Sequence, residues 1–146
     1  MDVRSGNVYD LLRQTHNTIW DVKNDGSPKE IAMKILFVCS ANVDRSPTAE
    51  SIYSGRSDLE VKSAGVSDYA RIPVCAELIQ WADAVLCMEK RHILKIKKKF
   101  PGITTNKIID SLDVPDVFPY MNNNLVNMLR EKTDAWLHNY HMIKKG

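Results

Sequence analysis

The chain has 146 residues, of which 44% are hydrophobic and 26% are charged, and these values fit one soluble domain with a real core. Its net charge of +2 is too small to indicate binding to nucleic acid or to a membrane by itself. Because no apolar run could span a membrane and the N-terminus lacks a signal-type stretch, we expect a cytoplasmic protein that acts away from membranes.

The first 32 residues differ in pattern from the rest of the chain. They are polar, with a weakly periodic stretch from Val8 to Trp20 that is compatible with a short helix. The sequence from Asp25 to Pro28 is typical of a turn or linker. Dense hydrophobic patterning begins at Met33. We therefore predict an N-terminal extension over residues 1–32, whose role the sequence does not indicate, and an α/β domain over residues 33–146.

From residue 33 onward, predicted strands alternate with predicted helices. The continuous apolar run at 34–38 is typical of a strand buried on both faces. Further strands are predicted at 59–63, 84–88 and 107–109. Helices are predicted at 75–81, 89–100 and 122–140, and one more is predicted to open at Ser46, with Pro47 at its first position. This order predicts a three-layer α/β sandwich with a four-stranded parallel sheet flanked by helices.

The most informative segment follows the first of these strands. Cys39 lies at the strand's carboxyl end, where open parallel sheets bind ligands. A tight loop between a strand and a helix can form an anion nest from its backbone N–H groups, and the helix dipole adds to it. Arg45 would grip two phosphate oxygens, and the same field favours the thiolate of Cys39. Ser46 would bond the sulfur and help it leave. The spacing Cys-x5-Arg-Ser therefore predicts a phosphatase with a cysteinyl-phosphate intermediate. The alternative is a small buried cysteine in an ordinary turn.

The stretch from Val38 to Glu50 resembles the low-molecular-weight protein tyrosine phosphatase family, whose pattern is V-C-x-G-N-x-C-R-S-P-x-A-E. Residues 61–65 and 84–88 resemble its second and third strands, so the resemblance covers about residues 33–140. It implies hydrolysis of phosphotyrosine in proteins, or of small aryl phosphates, without a metal or another cofactor. The phosphate-binding set that it implies is Ser40, Ala41, Asn42, Val43, Asp44, Arg45 and Ser46.

The resemblance also implies a general acid on a late loop, where an aspartate precedes proline and aromatic residues. Asp116 fits best because it follows Pro115, although Val117 stands where the family has a proline, and Asp113 is the reserve. Phe118 and Tyr120 would either wall the site against an aromatic substrate or simply pack. Asn42, Ser46 and Ser63 are expected to support the loop rather than to react.

Three departures from the family pattern bear on activity. Ala41 replaces a glycine and would be strained if the position needs a positive φ. Asp44 replaces a second cysteine, so the disulfide that protects the nucleophile cannot form, and a carboxylate beside an anion site is unfavourable unless it points away. The span from Gly65 to Val85 is shorter than in typical members and would lack much of the wall that recognises substrate.

The remaining features favour less specific interpretations. We interpret the basic helix with Arg91, Lys95 and residues 97–99 as a solvated face rather than a nucleic-acid surface. None of the four histidines is predicted to be catalytic. Two other functions remain open: a non-catalytic phosphate- or phosphoprotein-binding module, and a thioredoxin-coupled arsenate reductase. The reductase needs two further cysteines close together, and Cys75 and Cys87 are far apart, with Cys87 predicted to be inert in a strand. The oligomeric state is not indicated.

Overall fold

The computed structural model describes residues 20–22, 28–30 and 32–145. Strands β1 (Trp20–Val22) and β2 (Pro28–Glu30) pair antiparallel as a small sheet of their own. The helix predicted within Val8 to Trp20 lies outside the described residues, except for Trp20, which begins β1.

The main sheet has four parallel strands, as predicted. They are β3 (Met33–Cys39), β4 (Leu59–Gly65), β5 (Ala84–Cys87) and β6 (Ile108–Ser111), in the spatial order β4-β3-β5-β6. The register places Cys39 opposite Gly65, and Cys87 opposite both Val38 and Ser111. The carboxyl ends of all four strands therefore meet at one edge of the sheet.

Helices cover both faces of this sheet. They are α1 (Arg45–Tyr53), α2 (Ala76–Trp81), α3 (Lys90–Lys99) and α4 (Asn123–Lys145). Successive β3 residues alternate between two cores: Ile35 and Phe37 face the core that includes α1 and α4, and Leu36 and Val38 face the core beside α2 and α3. The three-layer sandwich is confirmed. Within the described part of the chain, none of the helices combines the length and apolar character that crossing a bilayer requires.

The start of α1 differs from the prediction. The helix begins at Arg45 with Asp44 as its N-cap, so Pro47 is the third helical residue and not the first. Proline is tolerated there because the first four N–H groups of a helix have no partner within the helix. As a result, Arg45 lies in the first helical turn, next to the end of β3.

Candidate active site

The Cys39–Ser46 loop lies at the carboxyl edge of the sheet, between β3 and α1. The Cys39 side chain is buried at the base of the loop. The Asn42 backbone N–H donates to Cys39 Sγ at 3.3 Å, and Ser46 Oγ lies 3.0 Å from the same sulfur. The N–H contact stabilises a negative sulfur, and the N-terminus of α1 adds its positive dipole end. The Ser46 hydroxyl also lies 3.2 Å from the Ala64 carbonyl, so it can donate either to that carbonyl or to the sulfur.

Asn42 maintains the curvature of the loop. Its φ of 57° is in the left-handed region, which asparagine tolerates better than most residues. Its buried side chain donates to Ser46 Oγ at 2.8 Å and to Ser63 Oγ at 2.9 Å. Ser63 Oγ in turn donates to Glu50 Oε1 at 2.6 Å. The positive φ falls on Asn42, so the strain expected at Ala41 does not arise there.

The segment 66–71 supports the loop from outside. The backbone N–H groups of Val66, Ser67 and Arg71 donate at 2.9–3.0 Å to the carbonyls of Cys39, Ser40 and Ala41, in that order. Arg71 Nε also donates to the carbonyl of Asn42 at 3.0 Å. Because these carbonyls turn outward, this part of the loop can direct its N–H groups inward to an anion. The shortened region after β4 thus braces the loop, a role that the sequence did not suggest.

The guanidinium of Arg45 is almost completely buried, and hydrogen bonds fix its position. Its Nη1 donates to the carboxylate of Glu89 and, at 2.8 Å, to the carbonyl of Val114. Its Nε lies 3.7 Å from Asp116 Oδ1. These partners fix the plane of the guanidinium, which is the requirement for gripping two oxygens of one phosphate.

Sequence reasoning missed Glu89. A charged residue two positions after buried strand β5, at the edge where Cys39 lies, is the feature that could have indicated it. Glu89 also pairs with Arg91, whose Nη2 lies 3.0 Å from Oε2. Hydrogen bonds from Arg91 and Arg45 lower the pKa of Glu89 to about 2, although partial burial opposes them. Glu89 is therefore an anion at neutral pH and balances the two arginines.

His92 is a second residue that the sequence did not assign to the site. It is fully buried, and its Nδ1 accepts the backbone N–H of Glu89 at 3.1 Å. Its Nε2 lies 2.9 Å from Ser40 Oγ, so the hydrogen-bond pattern assigns the ring proton to Nε2. Burial, followed by the nearby charges of Arg45 and Arg91, lowers the pKa of His92 to about 4. The neutral ring thus connects α3 to the Cys39–Ser46 loop.

The β6–α4 loop, residues 112–122, brings the two candidate acids to different places. Asp116 is exposed and faces Arg45, as described above. The carboxylate of Asp113 instead accepts Ser111 Oγ at 2.7 Å, next to its own strand. Phe118 packs against the core, whereas Tyr120 is half exposed and its hydroxyl lies 2.9 Å from Ser51 Oγ.

Asp44 does not direct its charge at the anion site. Its Oδ1 accepts the backbone N–H of Tyr120 at 2.9 Å, across the gap between α1 and the β6–α4 loop. Of the other two cysteines, Cys75 is half buried, and burial raises the pKa of the Cys87 thiol well above its usual range. In the parts of the chain that the structure describes, no three His, Cys, Asp or Glu side chains are grouped as a metal site requires.

No family model matches the sequence. A search of curated proteins finds the low-molecular-weight protein-tyrosine-phosphatase Etp of Escherichia coli strain K12, which is 26% identical over 141 residues and aligns with 77% of this chain and 88% of Etp. The chain is therefore similar to a low-molecular-weight protein tyrosine phosphatase over most of the length of both proteins.

Solved structures share the fold of this chain. SP-PTP, a low-molecular-weight protein tyrosine phosphatase from Streptococcus pyogenes, superposes with a TM-score of 0.61 at 18% identity, over 73% of this chain and 92% of that one. The YwlE arginine phosphatase from Geobacillus stearothermophilus superposes with a TM-score of 0.56 at 22% identity, over 75% of this chain and 96% of that one. Since one fold is found in proteins described by different substrates, the substrate must be argued from the site.

Proposed function

We propose that this protein hydrolyses phosphotyrosine or aryl phosphate monoesters, without a metal, through a cysteinyl-phosphate intermediate. The observation that carries the proposal is the arrangement around Cys39. A buried sulfur accepts a loop N–H at 3.3 Å, while the guanidinium of Arg45, six residues along the same segment, is fixed by Glu89 and has Asp116 on its Nε side. The proposed nucleophile and anion grip thus belong to one loop at the edge of the sheet, and the proposed proton donor lies beside the arginine of that loop.

In the first step, the phosphate occupies the nest of N–H groups, and Arg45 neutralises its oxygens. The thiolate of Cys39 attacks phosphorus and forms the S–P bond while the bond from phosphorus to the leaving oxygen breaks. Asp116 transfers its proton to that oxygen, so a neutral phenol leaves. In the second step, water attacks phosphorus and gives a proton to Asp116. The S–P bond breaks, Ser46 stabilises the returning thiolate, and inorganic phosphate is released.

We assign the acid to Asp116 rather than to Asp113. Asp116 is exposed and lies near Arg45, whose Nε is 3.7 Å from its carboxylate. The carboxylate of Asp113 instead accepts a hydrogen bond from Ser111, the last residue of β6.

The proposed substrate is a phosphorylated protein or a small aryl phosphate. Exposed apolar side chains of Val43, Val117 and Tyr120 lie on the two loops that carry the reacting groups, and such side chains suit an aromatic ring. We place the protein in the cytoplasm, since a free thiolate nucleophile requires a reducing compartment.

Hydrolysis of p-nitrophenyl phosphate by matched variants tests the proposal. We expect turnover by the wild type and by Cys75→Ser, and none above background by Cys39→Ser. Asp116→Ala should lower kcat by about 10²–10⁴-fold, the typical contribution of general acid catalysis, and remove the basic limb of the pH profile. Asp113→Ala should stay within about threefold of the wild type, as expected for a residue outside the chemistry.

Equal, negligible rates for the wild type and Cys39→Ser would contradict the phosphatase activity. Inorganic phosphate binding that survives in such a protein would favour the non-catalytic binding module. Oxidation of thioredoxin that depends on arsenate would favour the reductase instead.

A further inference from the structure

We propose that Asp44, Thr48 and Ser51 form a clamp that holds the β6–α4 loop against α1 and so positions Asp116 for proton transfer. The inference rests on the proposed function and deepens it. We call these three residues the acid-loop clamp.

The clamp residues lie at i, i+4 and i+7, so they share one face of α1 and its N-cap. Each one contacts Tyr120 or Met121. The Tyr120 N–H donates to Asp44 Oδ1 at 2.9 Å, the Met121 N–H donates to Thr48 Oγ1 at 2.9 Å, and Ser51 Oγ lies 2.9 Å from the Tyr120 hydroxyl. Three successive positions on one helical face thus bind two adjacent loop residues.

Asp44 is the N-cap of α1, yet its carboxylate binds the β6–α4 loop and not its own helix. An aspartate at an N-cap usually accepts an N–H of its own helix, but Asp44 makes no such bond. Its carboxylate is turned across to Tyr120 instead. Thr48 donates its own hydroxyl to the carbonyl of Asp44 at 2.6 Å, which orients the oxygen that receives the Met121 N–H.

The far side of the loop is also attached. The Val114 N–H donates to the carbonyl of Met88 at 2.7 Å, and the Val114 carbonyl accepts Arg45. Residues 115–119 therefore connect Val114 to Tyr120, which are both held by hydrogen bonds. Pro115 and Pro119, the first and last residues of this segment, restrict its backbone. Asp116 lies on this segment, so releasing the clamp end would let its carboxylate move relative to Cys39.

Met121 shows that the clamped end is under constraint. Its φ of 61° is unusual for a residue with a long side chain. Contacts from the surrounding structure must maintain such a conformation, and the hydrogen bond to Thr48 is one of them. Asp44 stands where the family pattern has a cysteine, so in this chain the position holds the loop instead of protecting the nucleophile.

Leaving-group dependence, together with amide exchange, tests the clamp. Asp44→Ala should lower kcat about tenfold on phenyl phosphate but only about twofold on p-nitrophenyl phosphate, because a more basic leaving oxygen depends more on the acid. The Tyr120 amide should exchange at least about tenfold faster, since it loses its acceptor. Asp44→Asn keeps an acceptor oxygen and should restore most of both properties. Thr48→Val should have the same effects as Asp44→Ala, with faster exchange at the Met121 amide.

Glu60→Ala and Thr105→Val are the matched controls, since both residues are exposed and neither forms a hydrogen bond with the clamp or with residues 112–122. Both should behave like the wild type. If Asp44→Ala does not fold, Thr48→Val and Asp44→Asn carry the test. An unchanged leaving-group dependence, or unchanged exchange of the released amide, would overturn the clamp. Absence of turnover in the wild type would contradict the phosphatase activity, and amide exchange alone would then decide whether the clamp holds the loop.

Discussion

Next to the Cys39–Ser46 loop, the carboxylate of Glu89 forms ion pairs with two arginines. Glu89 pairs with Arg45 on its buried side and with Arg91 on its exposed side. A protonated His92 would add a third cation within the same packed group, and the exposed carboxylate of Asp116 offsets it only in part. The neutral ring is therefore part of the site's electrostatic balance, and it also bonds Ser40.

The burial of a neutral His92 predicts that the folded protein loses stability at acidic pH. The pKa of His92 falls from 6.5 to about 4 on folding, so between those values the unfolded chain binds a proton that the folded protein does not. The stability from this residue is complete above pH 6.5 and is lost as the pH falls towards 4, by up to about 3 kcal/mol. His92→Gln should flatten the pH dependence of the free energy of unfolding in that window, measured by urea denaturation.

His138→Gln is the control, because His138 is exposed on α4. It should keep the wild-type pH dependence. The same slope in His92→Gln as in the wild type would show that His92 does not carry the effect.

At the scale of elements, the end of β4 and the Cys39–Ser46 loop fit closely together. A Cβ at Gly65 would lie 2.5 Å from the Ser40 carbonyl oxygen and 2.7 Å from the Ala70 Cβ. Only glycine allows the segment 66–71 to approach near enough to donate its N–H groups to the outward carbonyls of the loop. The close approach of two backbones thus sets the shape of the anion nest.

We expect Gly65→Ala to lower the free energy of unfolding by about 1–3 kcal/mol, because backbone must shift to relieve the overlap. It should also weaken the binding of inorganic phosphate, since the loop is displaced. Gly102→Ala is a matched control: a Cβ there meets nothing within 4 Å, and the change should stay within about 0.5 kcal/mol. Equal stabilities of the two variants in urea denaturation would contradict the close fit.

At the scale of the whole molecule, the residues whose burial the structure describes build the main sheet and its two cores from Met33 onward. Among the described residues, β1 and β2 pair only with each other, and β3, the central strand with both cores, begins at Met33. Since the described residues of each core belong to elements that begin at or after Met33, we expect the domain predicted over residues 33–146 to fold without the extension.

A chain of residues 33–146 should therefore unfold in one cooperative transition, with a midpoint within about 5 °C of the full-length protein. It should retain turnover of p-nitrophenyl phosphate. Circular dichroism during heating measures the first property and a rate assay the second. Loss of the cooperative transition would mean that the extension is part of the folded domain.

Local patterns in the sequence were enough to predict the four strands, the sandwich and the Cys39–Ser46 loop. The strands could be predicted because a strand buried on both faces must be continuously apolar. The loop could be predicted because Cys39, the N–H groups of the nest and Arg45 belong to one short segment, so their spacing in the sequence indicates an anion-binding loop. The boundary of α1 was less well predicted, because Pro47 fits the third helical position as well as the first.

The supporting residues became visible only in the tertiary structure. Glu89 reaches Arg45 across 44 positions of the chain, His92 reaches Ser40 across 52, and Tyr120 reaches Asp44 across 76. A charged or polar side chain can be satisfied by many partners, and packing and strand register decide which partner it meets. For this reason the sequence by itself was enough to predict Cys39 as the nucleophile and Arg45 as its anion grip, while only the folded chain decided which residues contact Arg45, the loop and the segment that carries Asp116.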